Sequence, residues 1–469
     1  MYAGPGIKSC KNDHLKTNNK FIGAKMNTPV YDYLLKYADS GFLRMHMPGH
    51  KGTECMKNLS SVCKYDITEI TDAGNLFSGT GIIAESEKNA GKLFGTKGTF
   101  YTTGGSTVGI QTMMALMKYE NRHVIALRNA HHAFLSACVL LDIDVDWVYP
   151  EYRESIISGT APYDIIEEKL QINPDSCLYL TSPDYFGSVA DISTLSELCH
   201  RYGAVLAVDN AHGACLPFYE KNMHPIANGA DLCCDSAHKM LPALTGAAYI
   251  HVGNERYLPY VKEMSALFAT TSPSYLITCS LDLCNDYLGT KIRADLKKSV
   301  KLAEALREHI SPQFVCEKGP FYHEPLHFTI NASKSGINGI VLAEKLRENK
   351  VEYEYADDTH IVMLFSPVDT EEKYLRLEKV LDSIKFTPET HCERNIDFPV
   401  LEKCMSIRSA ALSPHEEIPV KNAAGRICAN VHSPCPPAIP VAVSGEMITE
   451  KCTSLMEEYG IETVKVVKK

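Results

Sequence analysis

Between residues 27 and about 300 the chain alternates short apolar runs with amphipathic segments, and this alternation restricts the fold more than any other feature. "HVIAL" (123–127), "CLYLTS" (177–182), "AVLAVDN" (204–210), "DLCCDS" (231–236) and "AAYIHV" (247–252) read as buried strands. Residues 107–119 and 191–203 carry helical periodicity between them. Strand and helix in alternation predict an α/β fold with a mainly parallel sheet covered on both faces. Ligands of such sheets bind beyond the carboxyl ends of the strands. Downstream, residues 292–309 read as a long charged helix. A strand, helix, strand, strand, helix order follows, which predicts a small α+β domain with an antiparallel sheet over 301–390. "SPCPPAIPVAVSGE" (433–446) excludes a central strand or a helix interior, and 391–469 reads as a separate C-terminal region. Residues 1–25 are polar and aperiodic and read as a flexible tail, leaving 26–300 as the major domain.

Composition narrows the function classes. The chain has 469 residues, 45% hydrophobic and 22% charged, ordinary values for a globular protein with a large core. A net charge of -10 without long basic runs argues against nucleic acid as a partner. No apolar stretch reaches the roughly 18 residues of a membrane span, and the N-terminus lacks the apolar centre of a secretory signal. The 17 cysteines are an odd number and contain no CxxC pair, which suggests a reducing, cytoplasmic setting with small core thiols and no metal centre.

Four predicted strand ends carry unusual polar residues. In "YTTGGSTVGIQTMM" (101–114), Gly105, Ser106 and Thr107 open an apolar helix. Backbone N–H groups and hydroxyls there suit a phosphate, although an ordinary capped helix reads the same way. In "VLAVDNAHGA" (205–214), Asp209 closes an apolar strand and His212 follows; a carboxylate in a turn is the simpler reading of this segment alone. In "DLCCDSAHKM" (231–240), Ser236, His238 and Lys239 lie at or past a strand end. Lysine is seldom buried; when buried its amine has a lowered pKa and becomes a nucleophile, and otherwise it reaches for solvent. Lys239 and Asp209 are thirty residues apart, enough for one crossover that places them on neighbouring strands. In "VIALRNAHHAF" (124–134), His131 and His132 follow a further strand end without ligand spacing for a metal.

Taken together these residues match what pyridoxal 5'-phosphate requires. The cofactor needs an amine, a carboxylate at its ring nitrogen, a phosphate cradle and a flat group against the ring. Lys239, Asp209, Ser106 with Thr107, and His131 supply them on one sheet edge.

The same segments resemble the fold type I pyridoxal-phosphate decarboxylases of ornithine, lysine and arginine, particularly the short Gram-positive form. "HMPGHKG" (46–52), "DITEI" (66–70), "FGTKGTFYTTGGSTVGI" (94–110), "RNAHHAF" (128–134), "PDYFG" (183–187), "VDNAHGA" (208–214), "SAHKMLPALTG" (236–246), "TTSPSYLITCSLD" (270–282) and "AAGRICA" (423–429) carry the resemblance in family order from about residue 28 to the C-terminus. It implies the aspartate aminotransferase-like fold and a C-terminal decarboxylase domain. It implies an enzyme that is homodimeric at its base, with active sites at the subunit interface. The implied reaction is decarboxylation of a basic L-amino acid to its amine and CO2, feeding polyamine metabolism. Carried over, Lys239 is the Schiff-base lysine, Asp209 the partner of the pyridine nitrogen and His131 the histidine stacked on the ring. Ser106 and Thr107 belong to the phosphate loop with Ser236 and His238 nearby, and His212 is close to the ring. Thr271 and Ser272 reach the phosphate from the other subunit. Lys239 or His238 returns the proton to Cα. Glu69, Asp357 and Asp358 are candidates for the distal amine or guanidinium of the substrate; an exposed loop carboxylate is the plainer reading of each. The chain departs from the family pattern at Asn210, Ala133, "FSGTG" (77–81), Gly246, Cys435 and Ser444, which bears on substrate and activity. An aminotransferase or carbon–carbon lyase holding the α-carboxylate with Arg128 or Arg293, and a catalytically silent relative, are the alternatives.

Overall fold

A computed structural model of the chain describes residues 25–152, 154–388, 396–430 and 439–469. The predicted tail, except residue 25, and Cys435 lie outside the described residues.

The central feature is a seven-stranded sheet. Its strands are β1 (Gly98–Thr102), β2 (Val124–Leu127), β3 (Val145–Val148), β4 (Cys177–Thr181), β5 (Val205–Asp209), β6 (Leu232–Asp235) and β7 (Ala248–Val252). Their order is β1-β7-β6-β5-β4-β2-β3. All neighbours from β6 to β3 pair in parallel, and β7 runs antiparallel to both β6 and β1. The five apolar runs read from the sequence are therefore strands of one sheet.

Why those runs look continuous is visible in their packing. Successive side chains of a strand face opposite ways, and both faces of this sheet are covered. Val124, Ala126, Cys177 and Tyr179 pack with Met113, Met114 and Phe134 of the helices Gly105–Tyr119 and His132–Leu141. Ile125, Leu127, Leu178 and Leu180 pack with Ile166, Leu170, Leu195 and Leu198 of the helices Tyr163–Ile172 and Ile192–Arg201. A strand buried on both sides has no polar alternation to show.

The helix Pro29–Ala38 is fixed to the body by a buried carboxylate. Asp282 Oδ2 accepts the Val30 and Tyr31 N–H groups at 2.9 and 3.0 Å, satisfying two of the donors that a helix start leaves open. The small α+β unit has a four-stranded antiparallel sheet in the order Val315–Cys316, His327–Asn331, His360–Leu364, Tyr355–Ala356. Helices Gly339–Glu348 and Glu371–Ser383 accompany it, the first capped by Asn338 Oδ1 on Ile340 N at 2.9 Å.

In the C-terminal segment, Arg128 ties the chain to the end of β2. Its guanidinium is fully buried, pairs with Glu446 Oε2 at 3.1 Å and donates to the carbonyls of Pro440 and Val441. It also lies over the rings of Trp147 and Phe398 at 5.0 and 5.5 Å. Most described cysteines are buried, and the 14 free ones include none in a disulfide. Among the described residues no helix is long and apolar enough to cross a membrane.

Removing the Arg128 cation leaves two carbonyls without their donor and the buried Glu446 with only the Val443 N–H. We expect Arg128→Ala to destabilise the protein by about 3–5 kcal/mol, the range for breaking one side of a buried ion pair. Urea unfolding followed by circular dichroism measures it, and a loss under 1 kcal/mol would contradict this role.

Candidate active site

The parallel strands end on one edge, and their polar residues surround a single cavity of about 420 Å³. The pairing of β5 with β6 brings Asp209 opposite Cys234, so the chain leaves β6 one residue later beside Asp209. The short helix Ala237–Met240 then carries His238 and Lys239 into the cavity wall. Lys239 is half-buried there.

Asp209 is almost wholly buried. Its Oδ1 accepts the Ala211 N–H at 3.1 Å, and its Oδ2 accepts the Tyr179 hydroxyl at 3.4 Å. Burial raises its carboxyl to about 6, against the lowering influence of Lys239 and of those two bonds.

Lys239 Nζ lies 3.0 Å from His212 Nε2. His212 Nδ1 lies 3.1 Å from His327 Nε2, and His327 Nδ1 lies 2.8 Å from Glu324 Oε2. The Tyr219 hydroxyl bonds the other Glu324 oxygen. An ammonium donor at one end and a carboxylate acceptor at the other give these bonds one direction, each imidazole donating from Nδ1. Burial, then Lys239 and His327, depress His212 well below its usual pKa, so its ring is neutral at pH 7. Burial alone would raise Glu324, but the hydrogen bonds from His327 and Tyr219 prevail and hold it below its ordinary value.

Hydroxyls and backbone form another part of the wall. Gly105, Ser106 and Thr107 stand at the start of the Gly105–Tyr119 helix. Ser236 Oγ donates to Ser106 Oγ at 2.9 Å, joining the two turns. Gly105 has φ +70, and a Cβ on it meets nothing within 4 Å. Its N–H bonds the Gly246 carbonyl at 2.8 Å. Gly246 has φ +92, and a Cβ there would come within 2.9 Å of the Thr103 carbonyl oxygen. The departure from the family pattern at Gly246 is therefore fixed by backbone conformation and close approach.

His131 caps the helix His132–Leu141, accepting the Ala133 N–H on Nδ1 at 3.1 Å, and lies against His132 with ring centres 4.3 Å apart. His238 bonds the Ala247 carbonyl through Nδ1 at 3.0 Å, and burial lowers its pKa. Asn210 is buried beside the site and donates to Asp235 Oδ1 at 2.7 Å.

The remaining candidates lie elsewhere. Thr271 and Ser272 are exposed and do not line this cavity. Glu69 is outside the lining too, although its Oε1 is buried without a hydrogen-bond partner. Asp357 and Asp358 line a second cavity, of about 380 Å³, which shares Ile439 with the first. Asp357 spends its acceptors on its own turn, through Thr359, His360 and Tyr355. Asp358 accepts from Asn338 Nδ2 at 3.0 Å. Arg128 is committed to Glu446, and Arg293 is exposed on the Ile292–Ile310 helix, so neither enters the cavity.

Several site residues carried no sequence signal. Tyr179 sits inside an apolar strand, and Glu324 and His327 come from the small unit, over eighty residues beyond Lys239. Asp184 was within a quoted motif, "PDYFG", without an assigned role. It lines the cavity and shapes the turn, accepting from Ser158, Phe186 and Ser188, and burial raises it to about 6.

Pyridoxal phosphate fits this donor set. The cavity has the size usual for a small-molecule site. A buried carboxylate and an amine occupy adjacent strand ends, the hydroxyl pair and helix start suit a phosphate, and Asn129 Oδ1 and Thr181 Oγ1 are buried in the lining without hydrogen-bond partners.

Comparison with known proteins agrees. The Orn/Lys/Arg decarboxylase major domain matches residues 28–322, and the C-terminal domain of the same family matches 397–459. The arginine decarboxylase of Bacillus subtilis (strain 168) is 28% identical over 456 residues, covering 90% of this chain and 92% of the relative. Among solved structures, the constitutive lysine decarboxylase of E. coli aligns with a TM-score of 0.77 at 18% identity, over 94% of this chain and 82% of that one. Serine palmitoyltransferase of Sphingomonas wittichii aligns at 0.52 and 13% identity, over 66% and 78%. The fold is thus the pyridoxal-phosphate-dependent transferase fold expected from the sequence. Since the major-domain match alone covers more than half of its length, and the C-terminal match follows in order, the chain belongs to the Orn/Lys/Arg decarboxylase family.

Proposed function

We propose that this protein decarboxylates a basic L-amino acid (arginine, lysine or ornithine) to the corresponding amine and CO2, with pyridoxal 5'-phosphate anchored on Lys239. The observation that carries the proposal is the placement of Lys239 and Asp209 on adjacent parallel strand ends facing one cavity. Family membership and the named relatives support the reaction class. The polyamine, cytoplasmic and homodimeric assignments belong to the same reading.

The cofactor supplies an aldehyde for the substrate amine and a ring that takes up the electron pair left when CO2 departs. Asp209 would hold a proton on the ring nitrogen, its buried carboxylate facing little competition from water. Ser106, Thr107, Gly105 and Ser236 would hold the phosphate, and His131, in the same lining, would supply the flat group against the ring. Lys239 is the group best connected for proton return to Cα. His212, His327 and Glu324 hold its amine in place and orient its protons. His238 is tied to Ala247 and assists at the phosphate end. Thr271 and Ser272 are exposed on this chain, which suits a role in the cavity of a second subunit. Among the described residues no arginine lines the cavity, Arg128 and Arg293 included, which disfavours the aminotransferase alternative.

Incubating the holoenzyme with arginine, lysine and ornithine, and identifying products by mass, should reveal one amine and CO2 without a keto-acid acceptor. No amine from any of the three would overturn the proposal. Lys239→Ala should lose both turnover and the visible absorbance of bound cofactor.

Asp209→Ala should lower kcat by about 10²–10³-fold, the value of one key electrostatic group; near-normal turnover would remove Asp209 from the mechanism. The pH dependence follows from the raised carboxyl. Asp209 is ionised above about 6 and neutral below it. The advantage of wild type over Asp209→Asn in cofactor affinity should therefore be full at pH 7–8 and vanish as pH falls through about 6. Absorbance titration of the two apoproteins measures the difference, which also cancels the titration of the cofactor phosphate.

Glu69 and Asp358 lie outside this cavity, so they serve the distal substrate group only if the site is completed by a second subunit; in that case Glu69→Gln or Asp358→Asn should raise KM with kcat little changed. An unaltered KM in both excludes them.

A further inference from the structure

Behind the cofactor site, on the side of β6 turned away from Asp209, the chain gathers groups that the proposed reaction does not use. Cys234 lies toward Asp209, with Sγ 3.9 Å from its Oδ1. The alternating residues Cys233 and Asp235 therefore face the other way. His251 of β7 pairs in register with Cys233 and joins them, and the loop after β5 adds His224. All four residues are buried, and the side chains of His224, Asp235 and His251 have no solvent exposure.

We propose that His224 Nε2, Asp235 Oδ2 and His251 Nε2 bind a divalent first-row metal ion, zinc fitting best, with Cys233 Sγ as the fourth donor. Two imidazoles, a carboxylate and a thiol form a zinc-type set, whereas magnesium and calcium prefer oxygen. The spacing agrees. Ligand bonds of about 2.0–2.3 Å in a tetrahedron place donor atoms roughly 3.3–3.8 Å apart. His224 Nε2 and His251 Nε2 stand 3.2 and 3.4 Å from the same oxygen of Asp235. The three donor atoms all lie within 4.8 Å of one another. Cys233 Sγ is 3.7 Å from His224 Nε2 and 3.7 Å from Asp235 Oδ1.

A second observation points to a ligand. His251 Nε2 is buried and makes no hydrogen bond, although it is aimed at Asp235. In an isolated His–Asp–His cluster that nitrogen has only the 3.4 Å contact to Asp235, which does not meet hydrogen-bond geometry. A metal uses its lone pair. Two of the three ligands have outer partners: His251 Nδ1 lies 2.9 Å from Thr99 Oγ1, and Asp235 Oδ1 accepts from Asn210 Nδ2 at 2.7 Å, whereas His224 Nδ1 is buried without one.

The location gives the ion a structural role. Asp235 immediately precedes Ser236, and Asn210 immediately follows Asp209. A metal on Asp235 would therefore fix the strand ends that present Asp209 and Lys239. The site does not depend on the decarboxylase reading, because metal binding and stability are measured without turnover.

Full-length protein produced with zinc in the medium and purified without chelator should contain about one zinc per chain by plasma mass spectrometry. Lys239→Ala should retain it, and His224→Gln with His251→Gln should lose it. Cobalt substituted into Lys239→Ala, which lacks cofactor absorbance, should give the visible bands of a four-coordinate site. Should the double variant fail to fold, unfolding wild type in chelator and refolding with or without zinc makes the decision. Uptake of one zinc with a raised Tm supports the site. Folded wild type that takes up neither zinc, cobalt nor manganese, and whose Tm ignores them, overturns it. Zinc bound equally by wild type and the double variant also overturns it.

Discussion

The parallel pairing of Val205–Asp209 with Leu232–Asp235 is the constraint on which the cavity depends. Register in a sheet buried on both faces is strongly specified, because a slip by one residue exchanges every side chain between faces. Here a slip would send Asp209 to the face that carries Cys233 and Asp235, and would present an apolar side chain to the cavity. The register is held by the alternation itself. Ala207 and Cys234 belong to one apolar layer, and Leu206, Val208 and Cys233 to the other. The placement of Asp209 at the cavity is thus a by-product of packing over two helical layers, and needs no dedicated device on the strands.

Electrostatics at the strand ends follows the same economy. Asp209 and Asp235 are carboxylates on adjacent strands with little or no access to water, and each raises the cost of ionising the other. The structure separates them by face. Asp209 looks into the cavity toward Lys239, and Asp235 looks back toward two imidazoles. Those imidazoles lower the Asp235 carboxyl far below its ordinary value, whereas burial leaves Asp209 raised. One group is a settled anion and the other is poised for a cation that arrives with the ligand. Asn210 stands between them and, being neutral, adds no third charge.

How much of this was legible depended on whether the signal was local. The five apolar runs each lie within a dozen residues, and each is a strand of the main sheet; the antiparallel strands of the small unit all come after residue 300. Lys239, Asp209, His131, Ser106 and Ser236 lie around one cavity for the same reason, since strand ends on one edge must be neighbours. His327 was illegible because its partner, His212, is more than a hundred residues away, and Glu324 reaches the site only through His327. His224, Asp235 and His251 lack any compact ligand spacing, so no motif marks them; only the register of β7 on β6 brings His251 to Asp235. Arg128 looked like a free cation near a strand end, and its partner Glu446 belongs to the last sixth of the chain.

The C-terminal segment shows why the long-range contacts matter to the site. Arg128 opens the same loop that carries Asn129, His131 and His132 into the cavity, so its buried pairing with Glu446 fixes that loop from behind. Ile439, one residue before the carbonyl that Arg128 binds, lines the cavity directly. The small unit acts from the opposite side, through His327 and Glu324 on His212. Lys239 therefore sits where three parts of the chain converge: the sheet supplies its position, the small unit orients its amine, and the C-terminal segment closes the wall facing it. A flat cofactor held there would meet the strand ends of the main sheet, and the small unit and the C-terminal segment would help to keep water from it.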